Sequence, residues 1–356
     1  MPLLSLLKHY IVRQKFLIIL VIAIAIISCN GKQNKVSYDE LGESGLTTRT
    51  EYLRDNLKSE ISAGTIIGQL YGTLQGVGWV GDSARSDIKS ICGDGPAALG
   101  YELQGIERGF KQNSDSIAFD DIRQDVLMHF RHGALITMTW AAPEDVQEEK
   151  KLGQYTDSIA KFMDSLQDEY GIKVPVVLFP LPYDSESWCA QLSQSDYITL
   201  FHGITGKLKE AGVTNAIYGF ATEEDITYCP IDDIDVVELR LILSRTDSTL
   251  VREKVETPLS KMVDFAKEHF KAVGITTGIE GLGTPDSYTQ QFLPLITNHR
   301  VAYLMFGRNF GDANEGHYCV PYPGISSQYV TDFVNFYNDK RTLFHHNLNG
   351  LYLQRK

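Results

Sequence analysis

Residues 174–188 read VPVVLFPLPYDSESW, an apolar run that passes into a polar loop. The apolar half is rich in valine and has the length of a buried strand. The polar half places Tyr183, Asp184 and Glu186 shortly after the strand end. In folds built from parallel strands, ligands bind at the carboxyl ends of the strands. This stretch therefore predicts a buried strand whose polar end contributes to a functional site.

Strand-like and helical runs alternate on both sides of this segment, which is typical of a parallel sheet covered by helices. Eight strand-like runs are predicted, at residues 63–68, 97–103, 134–140, 174–180, 214–220, 234–240, 273–279 and 301–306. Predicted helices include residues 120–131, 155–170, 195–211, 257–270 and 288–297. Eight strands in one uninterrupted chain of this length predict an α/β fold, a single (β/α)8 TIM barrel.

Two groups of motifs resemble one known family in their order and spacing. They are GVGW (76–79) with RSDIKSICGDGPAALGYEL (85–103), and AYLMFGRNFG (302–311) with HYCVPYPG (317–324) and DFVNFYNDKRTLF (332–344). On these motifs the chain resembles glycoside hydrolase family 26, the β-mannanase family, from near Gly64 to Tyr352. The resemblance implies a (β/α)8 barrel and a β-linked mannan as ligand. Scaffold motifs carry less information about activity than about fold.

The resemblance implies a catalytic acid on the strand of residues 174–180, where the family reads V-P-V-I-F-R-P-x-H-E-x-x-G-x-W. Ungapped matching places Tyr183 at the catalytic glutamate of that motif. A phenol has an ordinary pKa near 10 and is a poor acid/base group for glycoside hydrolysis. A one-residue gap would place Asp184 there instead, and Glu186 lies close by. Both carboxylates remain candidates for the acid/base role.

The segment AVGITTGIEGLG (272–283) resembles the nucleophile strand of the family, which ends T-E-x-G. Matching Gly278 places Thr276 at the nucleophile. Matching the carboxylate selects Glu280 instead, but no glycine then follows at the required distance. Thr276 is the preferred match, and Glu280 is the candidate nucleophile if the protein is an active hydrolase.

Six residues at or near predicted strand ends are candidate ligand-binding groups, because sugars pack on aromatic rings and need polar partners for their hydroxyls. They are Trp79, Trp140, Trp188, Tyr303, Arg308 and Asn309. Several sugar-facing residues of the family are replaced here, such as its stacking tryptophan by Gly307. Because polar contacts in a transition state are worth several kcal/mol, such losses indicate a non-hydrolytic relative.

The first residues have the pattern of an export signal. Lys8, Arg13 and Lys15 precede an apolar run at 16–27, which is shorter than the about 20 residues of a membrane span. Cys29 then ends a sequence that resembles a bacterial lipobox. The pattern predicts a signal peptide over 1–28, a lipidated tether over 29–44 and the barrel over 45–356. The expected location is the bacterial cell envelope, on the outer membrane or facing the periplasm, with the membrane contacted through the lipid on Cys29.

The composition narrows the range of partners. The formal net charge of −12 argues against nucleic acid or an anionic membrane surface and suits a neutral polysaccharide. Besides Cys29, the cysteines Cys92, Cys189, Cys229 and Cys319 lie far apart without a CxxC motif, so no metal or cofactor is expected. Export would permit disulfides, but spacing leaves both the pairing and four free thiols open.

Three functional hypotheses follow. The first is an exported lipoprotein whose catalytically degenerate barrel binds a β-mannan-type polysaccharide or oligosaccharide. The second is an active retaining glycosidase that uses Glu280 as nucleophile with Asp184 or Glu186 as acid/base. The third is a structural partner in a glycan-uptake assembly without a sugar site.

Overall fold

A closed ring of eight parallel strands forms the centre of the molecule in the computed structural model, which describes residues 40–59, 64–82 and 85–354. The described residues contain eleven strands in all, eight of them in the ring: β1 (Thr65–Leu70), β2 (Gln75–Gly76), β3 (Trp79–Val80), β4 (Ala98–Glu102), β5 (Leu135–Thr139), β6 (Val176–Phe179), β7 (Ala216–Thr222), β8 (Val236–Leu243), β9 (Ala272–Ile279), β10 (Tyr303–Phe306) and β11 (Thr342–Leu343). Ring order is β1, β4, β5, β6, β7, β8, β9, β10, and β10 pairs with β1 to close it. The predicted (β/α)8 barrel is confirmed.

Helices follow most of the ring strands. They are α1 (Thr48–Lys58), α2 (Asp87–Cys92), α3 (Phe119–Arg131), α4 (Glu149–Ser165), α5 (Gln194–Glu210), α6 (Thr257–Glu268), α7 (Leu293–Asn298) and α8 (Ser327–Tyr337). All eight predicted ring strands correspond to observed ones within a few residues. The helix predicted at 155–170 begins earlier, at Glu149. It also ends earlier, because residues 166–173 form a turn through Gly171 in which the amide of Val174 donates to the carbonyl of Leu166.

Glycines let large side chains fill the barrel interior. A Cβ on Gly219 of β7 would lie 2.2 Å from the ring of Phe179 on β6, and one on Gly274 of β9 would lie 2.1 Å from the ring of Tyr303. Real Cβ atoms do not approach this closely, so these positions require glycine. The interior is therefore a packed core, as is usual for this fold.

The four cysteines in the described residues are free thiols, and three of them are buried: Cys189, Cys229 and Cys319. Burial raises the pKa of Cys92 to about 11 and that of Cys229 to about 12. Within the described residues, no helix combines the length and apolar character that crossing a bilayer requires. The predicted signal peptide, Cys29 and all but the last residues of the predicted tether lie outside the described residues.

Candidate functional site at the barrel mouth

Arg240 of β8 extends across the barrel mouth. Its Nε and Nη2 atoms each lie 2.7 Å from Oε1 of Glu238 on the same strand. Its Nη1 atom donates to Oγ1 of Thr139 on β5 at 2.6 Å and lies 3.4 Å from Oε1 of Glu102 on β4. Strands β4 and β8 occupy opposite positions in the ring of eight. The guanidinium therefore bridges the two sides of the barrel, above the ring of Phe179 at 5.2 Å.

Glu238 is fully buried beneath this guanidinium. The hydroxyl of Tyr303 on β10 donates to its other oxygen, Oε2, at 2.5 Å. A buried carboxylate is stable only when it is paired and hydrogen-bonded, and these two partners meet that need. Tyr303, a candidate sugar-stacking residue, is itself fully buried and donates to Glu238.

Glu102 ends β4 with 23% of its side chain exposed. Burial raises its pKa to about 7, and the charges of Asp115 and Glu238 act in the same direction, while Arg240 opposes them. A carboxyl group with this pKa exchanges its proton near neutral pH. Glu102 is absent from the sequence-based candidates, although it lies next to the end of the strand predicted at 97–103.

A second ion pair lies beside Glu102. Arg308, in the segment after β10, pairs with Asp115, and its guanidinium lies 4.2 Å from the ring centroid of Phe310. Asp115 also accepts a hydrogen bond from the hydroxyl of Tyr71 at 3.0 Å. Arg308, a candidate ligand-binding residue, therefore has its charge already paired within the protein.

Tyr183 packs into an aromatic cluster. Its ring stacks on Tyr228 with centroids 4.2 Å apart and meets Tyr197 of α5 edge-on at 5.4 Å. Its backbone amide donates to the carbonyl of Ala221, so the chain after β6 continues alongside β7. Burial raises the pKa of its phenol above the usual value. The ring is buried towards the helix layer, and its hydroxyl keeps its proton at neutral pH.

Asp184 and Glu186 form a turn after Tyr183. Oδ1 of Asp184 accepts from the amide of Glu186 at 2.9 Å, and the hydroxyl of Ser187 donates to the carbonyl of Asp184 at 2.7 Å. Both carboxylates act on Glu223 at the end of β7, whose pKa is raised first by burial and then by their charges. Asp184 and Glu186 thus share an acidic surface with Glu223, which is absent from the sequence-based candidates.

The two candidate nucleophile positions have different surroundings. Thr276 of β9 is buried, and its hydroxyl has no hydrogen-bond partner among the described residues. Glu280 follows β9 with 47% of its side chain exposed, and its Oε1 lies 3.7 Å from Nδ1 of His317. In the part of the chain that the structure describes, no hydrogen bond or ion pair joins Glu280 to Asp184 or Glu186.

The three tryptophans each donate their indole N–H to the protein. Trp79 donates to Asp87 at 2.8 Å, Trp140 to Glu107 at 3.3 Å, and Trp188 to the carbonyl of Ala142 at 2.9 Å. Trp140 has no exposed surface and Trp79 is buried, whereas Trp188 is half-buried. Among the three, Trp188 retains the most surface for a ligand.

Asn309 is also buried, and both atoms of its side-chain amide are hydrogen-bonded. Its Nδ2 atom donates to Asp87 and to the carbonyl of Val320, and its Oδ1 atom accepts from the amides of Cys319 and Val320. The side chain thus ties the segment after β10 to α2. Its geometry is that of a structural residue.

A cavity of about 560 Å³ lies in the segment between β4 and α3. We call it the loop pocket; side chains between Gln104 and Ser114 line it, Phe110 among them. None of its lining residues is a sequence-based candidate. The sequence pattern that could have indicated this pocket is an aromatic residue within the polar run QGIERGFKQNS, directly after a predicted strand.

Solved structures provide relatives for the chain, whereas no protein-family model and no curated protein matches it. A GH26 β-mannanase from Bacteroides ovatus is 26% identical, with a TM-score of 0.79, over 86% of this chain and 98% of that one. GH26C from Muricauda sp. is 24% identical, with a TM-score of 0.74, over 86% and 94%. An endo-β-1,4-mannanase double mutant from Cellulomonas fimi is 22% identical, with a TM-score of 0.74, over 86% and 78%.

Proposed function

The chain is a glycoside hydrolase family 26-like protein, and we propose that it binds a β-mannan-type glycan without hydrolysing it. The observation that carries this proposal is the Arg240 bridge. A retaining glycosidase needs two carboxyl groups about 5–5.5 Å apart with the sugar between them. Here Glu102, across the mouth on β4, and Glu238, on the same strand as Arg240, are both paired with one guanidinium.

Displacing this guanidinium would be costly. Separating a buried ion pair leaves an uncompensated charge and costs about 3–5 kcal/mol, here at Glu238. A sugar hydroxyl is a weaker partner for a carboxylate than a guanidinium is. A glycan is therefore expected to lie above the Arg240 bridge, without reaching the carboxylates below it.

The positions that the family resemblance assigns to catalysis support the same proposal. Tyr183 has a phenol in an aromatic cluster, and Thr276 has a buried hydroxyl in place of a carboxylate. Neither group supplies the acid or the nucleophile of a retaining mechanism. The competing hypothesis of an active glycosidase rests on Glu280, whose carboxylate is partly exposed next to His317.

Incubation with mannan, glucomannan and galactomannan tests the proposal. We expect retarded migration of the purified protein in gels that contain its glycan, and no reducing ends above those of the Glu280→Gln variant. Reducing ends that the wild type releases and Glu280→Gln does not would establish the glycosidase. Unchanged migration on every glycan of a wide panel would favour a structural partner without a sugar site.

We further propose that the protein is anchored in the bacterial cell envelope by a lipid on Cys29. The support is the sequence pattern of a basic start, a short apolar run and a lipobox-like end. Wild-type protein should fractionate with membranes and incorporate labelled fatty acid. The Cys29→Ser variant should incorporate none, and equal labelling of both proteins would rule out this anchor.

A further inference from the structure

Phe110 is an exposed aromatic residue in the loop pocket, with 61% of its surface accessible. Its ring lies against Gly105, where an added Cβ would be 3.1 Å from Cδ2 of the ring. Gly105 has a φ of +104°, a backbone conformation that favours glycine. The backbone thus supports a ring that solvent reaches, and burial of the ring in the core does not explain its position.

Four polar side chains in the loop pocket make no hydrogen bond or ion pair with other described residues. They are Gln104, Lys111, Gln112 and Ser114. Amide, ammonium and hydroxyl groups of this kind bind sugar hydroxyls, while an aromatic ring packs on the apolar face of a pyranose. The loop pocket therefore combines both kinds of group that a sugar needs.

The frame of the loop pocket is well ordered by internal bonds. Arg108 contacts Asp145 at 3.1 Å and the hydroxyl of Tyr155 at 3.3 Å. The buried carboxylate of Glu107 accepts from the amide of Gly105 at 2.8 Å. A site whose frame is already held in place loses little entropy when a ligand binds.

Asn113 connects the loop pocket to the barrel mouth. It lines the pocket, and its Nδ2 atom donates to the hydroxyl of Tyr71 and to the carbonyl of Glu102, each at 2.8 Å. Tyr71 in turn donates to Asp115, the partner of Arg308. The loop pocket therefore adjoins the charged groups of the mouth.

We propose that the loop pocket is a sugar-binding subsite, in which one pyranose unit of a neutral glycan stacks on Phe110. Lys111 and the amides of Gln104 and Gln112 bind the hydroxyls of that unit. This inference rests on the proposed glycan-binding function and names the surface that carries it.

The variant Phe110→Ala tests the subsite, with Phe270→Ala as its matched control. Phe270 is also an exposed phenylalanine, at 83%, but it precedes β9 at the opposite end of the barrel. Loss of a stacking contact is expected to weaken binding to mannan-type oligosaccharides about 3- to 10-fold. Phe270→Ala should bind as the wild type does, and Phe110→Trp should retain the affinity.

Titration calorimetry and thermal unfolding of the full-length proteins separate the outcomes. Unchanged unfolding midpoints with weaker binding by Phe110→Ala and by Lys111→Ala would support the subsite. A wild type that binds glycan, with Phe110→Ala equal to Phe270→Ala, would overturn the subsite and leave the proposed function standing. A wild type that binds no neutral glycan would overturn both.

Discussion

At the scale of single residues, Arg240 links the charged groups of the mouth. It contacts Glu238, Glu102 and Thr139, which come from three strands. The hydroxyl of Tyr303 completes the bonding of Glu238 from a fourth strand. Because it supplies the charged partner of a buried carboxylate, Arg240 contributes to the stability of the fold.

Replacing Arg240 should destabilise the fold. In Arg240→Met, the carboxylate of Glu238 loses its charged partner while it stays buried, so the free energy of unfolding should fall by about 3–5 kcal/mol. Denaturant unfolding measures this change. The control Arg252→Met removes an arginine whose side chain is 93% exposed and should change stability by less than about 1 kcal/mol.

The double variant Glu238→Gln/Arg240→Met identifies the cause of the stability loss in Arg240→Met. Because it removes the buried charge together with its partner, it should recover part of the stability that Arg240→Met loses. A double variant no more stable than Arg240→Met alone would show that packing of the arginine, and not its charge, is responsible.

Glu102 should make stability depend on pH. Its pKa is raised to about 7 in the folded protein, against about 4.3 in an unfolded chain. Between these values the folded state binds more protons, so the contribution of Glu102 to stability falls as pH rises. Relative to wild type, Glu102→Gln should therefore become more stable from pH 5 to pH 8, by about 1–3 kcal/mol.

Denaturant unfolding at four pH values between 5 and 8 measures this difference. Glu280→Gln is the control, because it also removes one carboxylate near the mouth, from a more exposed position. Parallel pH profiles of wild type and Glu102→Gln would contradict the raised pKa.

At the scale of elements, the strands depend on glycines that face large side chains. In Gly274→Ala, the new Cβ on β9 would lie 2.1 Å from the ring of Tyr303, the residue that donates to Glu238. Overpacking of this kind costs about 1–3 kcal/mol, and here it also disturbs the Tyr303 hydrogen bond. Thermal unfolding should show a lowered midpoint.

Gly153→Ala is the matched substitution in a helix. Gly153 lies within α4, and an added Cβ there meets no atom within 4 Å. Because alanine is the better helix former, this variant should be more stable than wild type by about 0.5–1 kcal/mol. Equal effects of the two substitutions would contradict the interlocked barrel interior.

At the scale of the whole molecule, the fold buries three of the four thiols in the described part of the chain. Native protein should react slowly with a thiol reagent at pH 7, because the thiolate is the reactive form and burial raises the pKa of Cys92 and Cys229. Four thiols should react after unfolding in guanidinium, since a lipid on Cys29 would block the fifth. A fifth reactive thiol in the exported protein would contradict lipidation.

The sequence by itself determined the barrel fold and its resemblance to glycoside hydrolase family 26. Alternating strand and helix signals depend on local composition. The motif groups at 76–103 and 302–344 match the family motifs at enough positions, in the same order, to indicate the family. The absence of a carboxylate at Tyr183 was also readable, because it needs only residue identity. Glu102 lies near the end of one predicted strand and Glu223 shortly after another, so the sequence could have indicated their positions but not their partners.

Only the tertiary structure decided what fills the mouth. Glu102, Thr139, Arg240 and Tyr303 are far apart in the chain and meet because their strands face one another around a closed ring. The direction of a side chain depends on strand register and on its neighbours, so Tyr183 faces Tyr197 and Tyr228, and Trp140 is buried. Exposure of Phe110 likewise depends on a turn at Gly105. Linear patterns cannot report such contacts, since register and ring closure are properties of the folded chain.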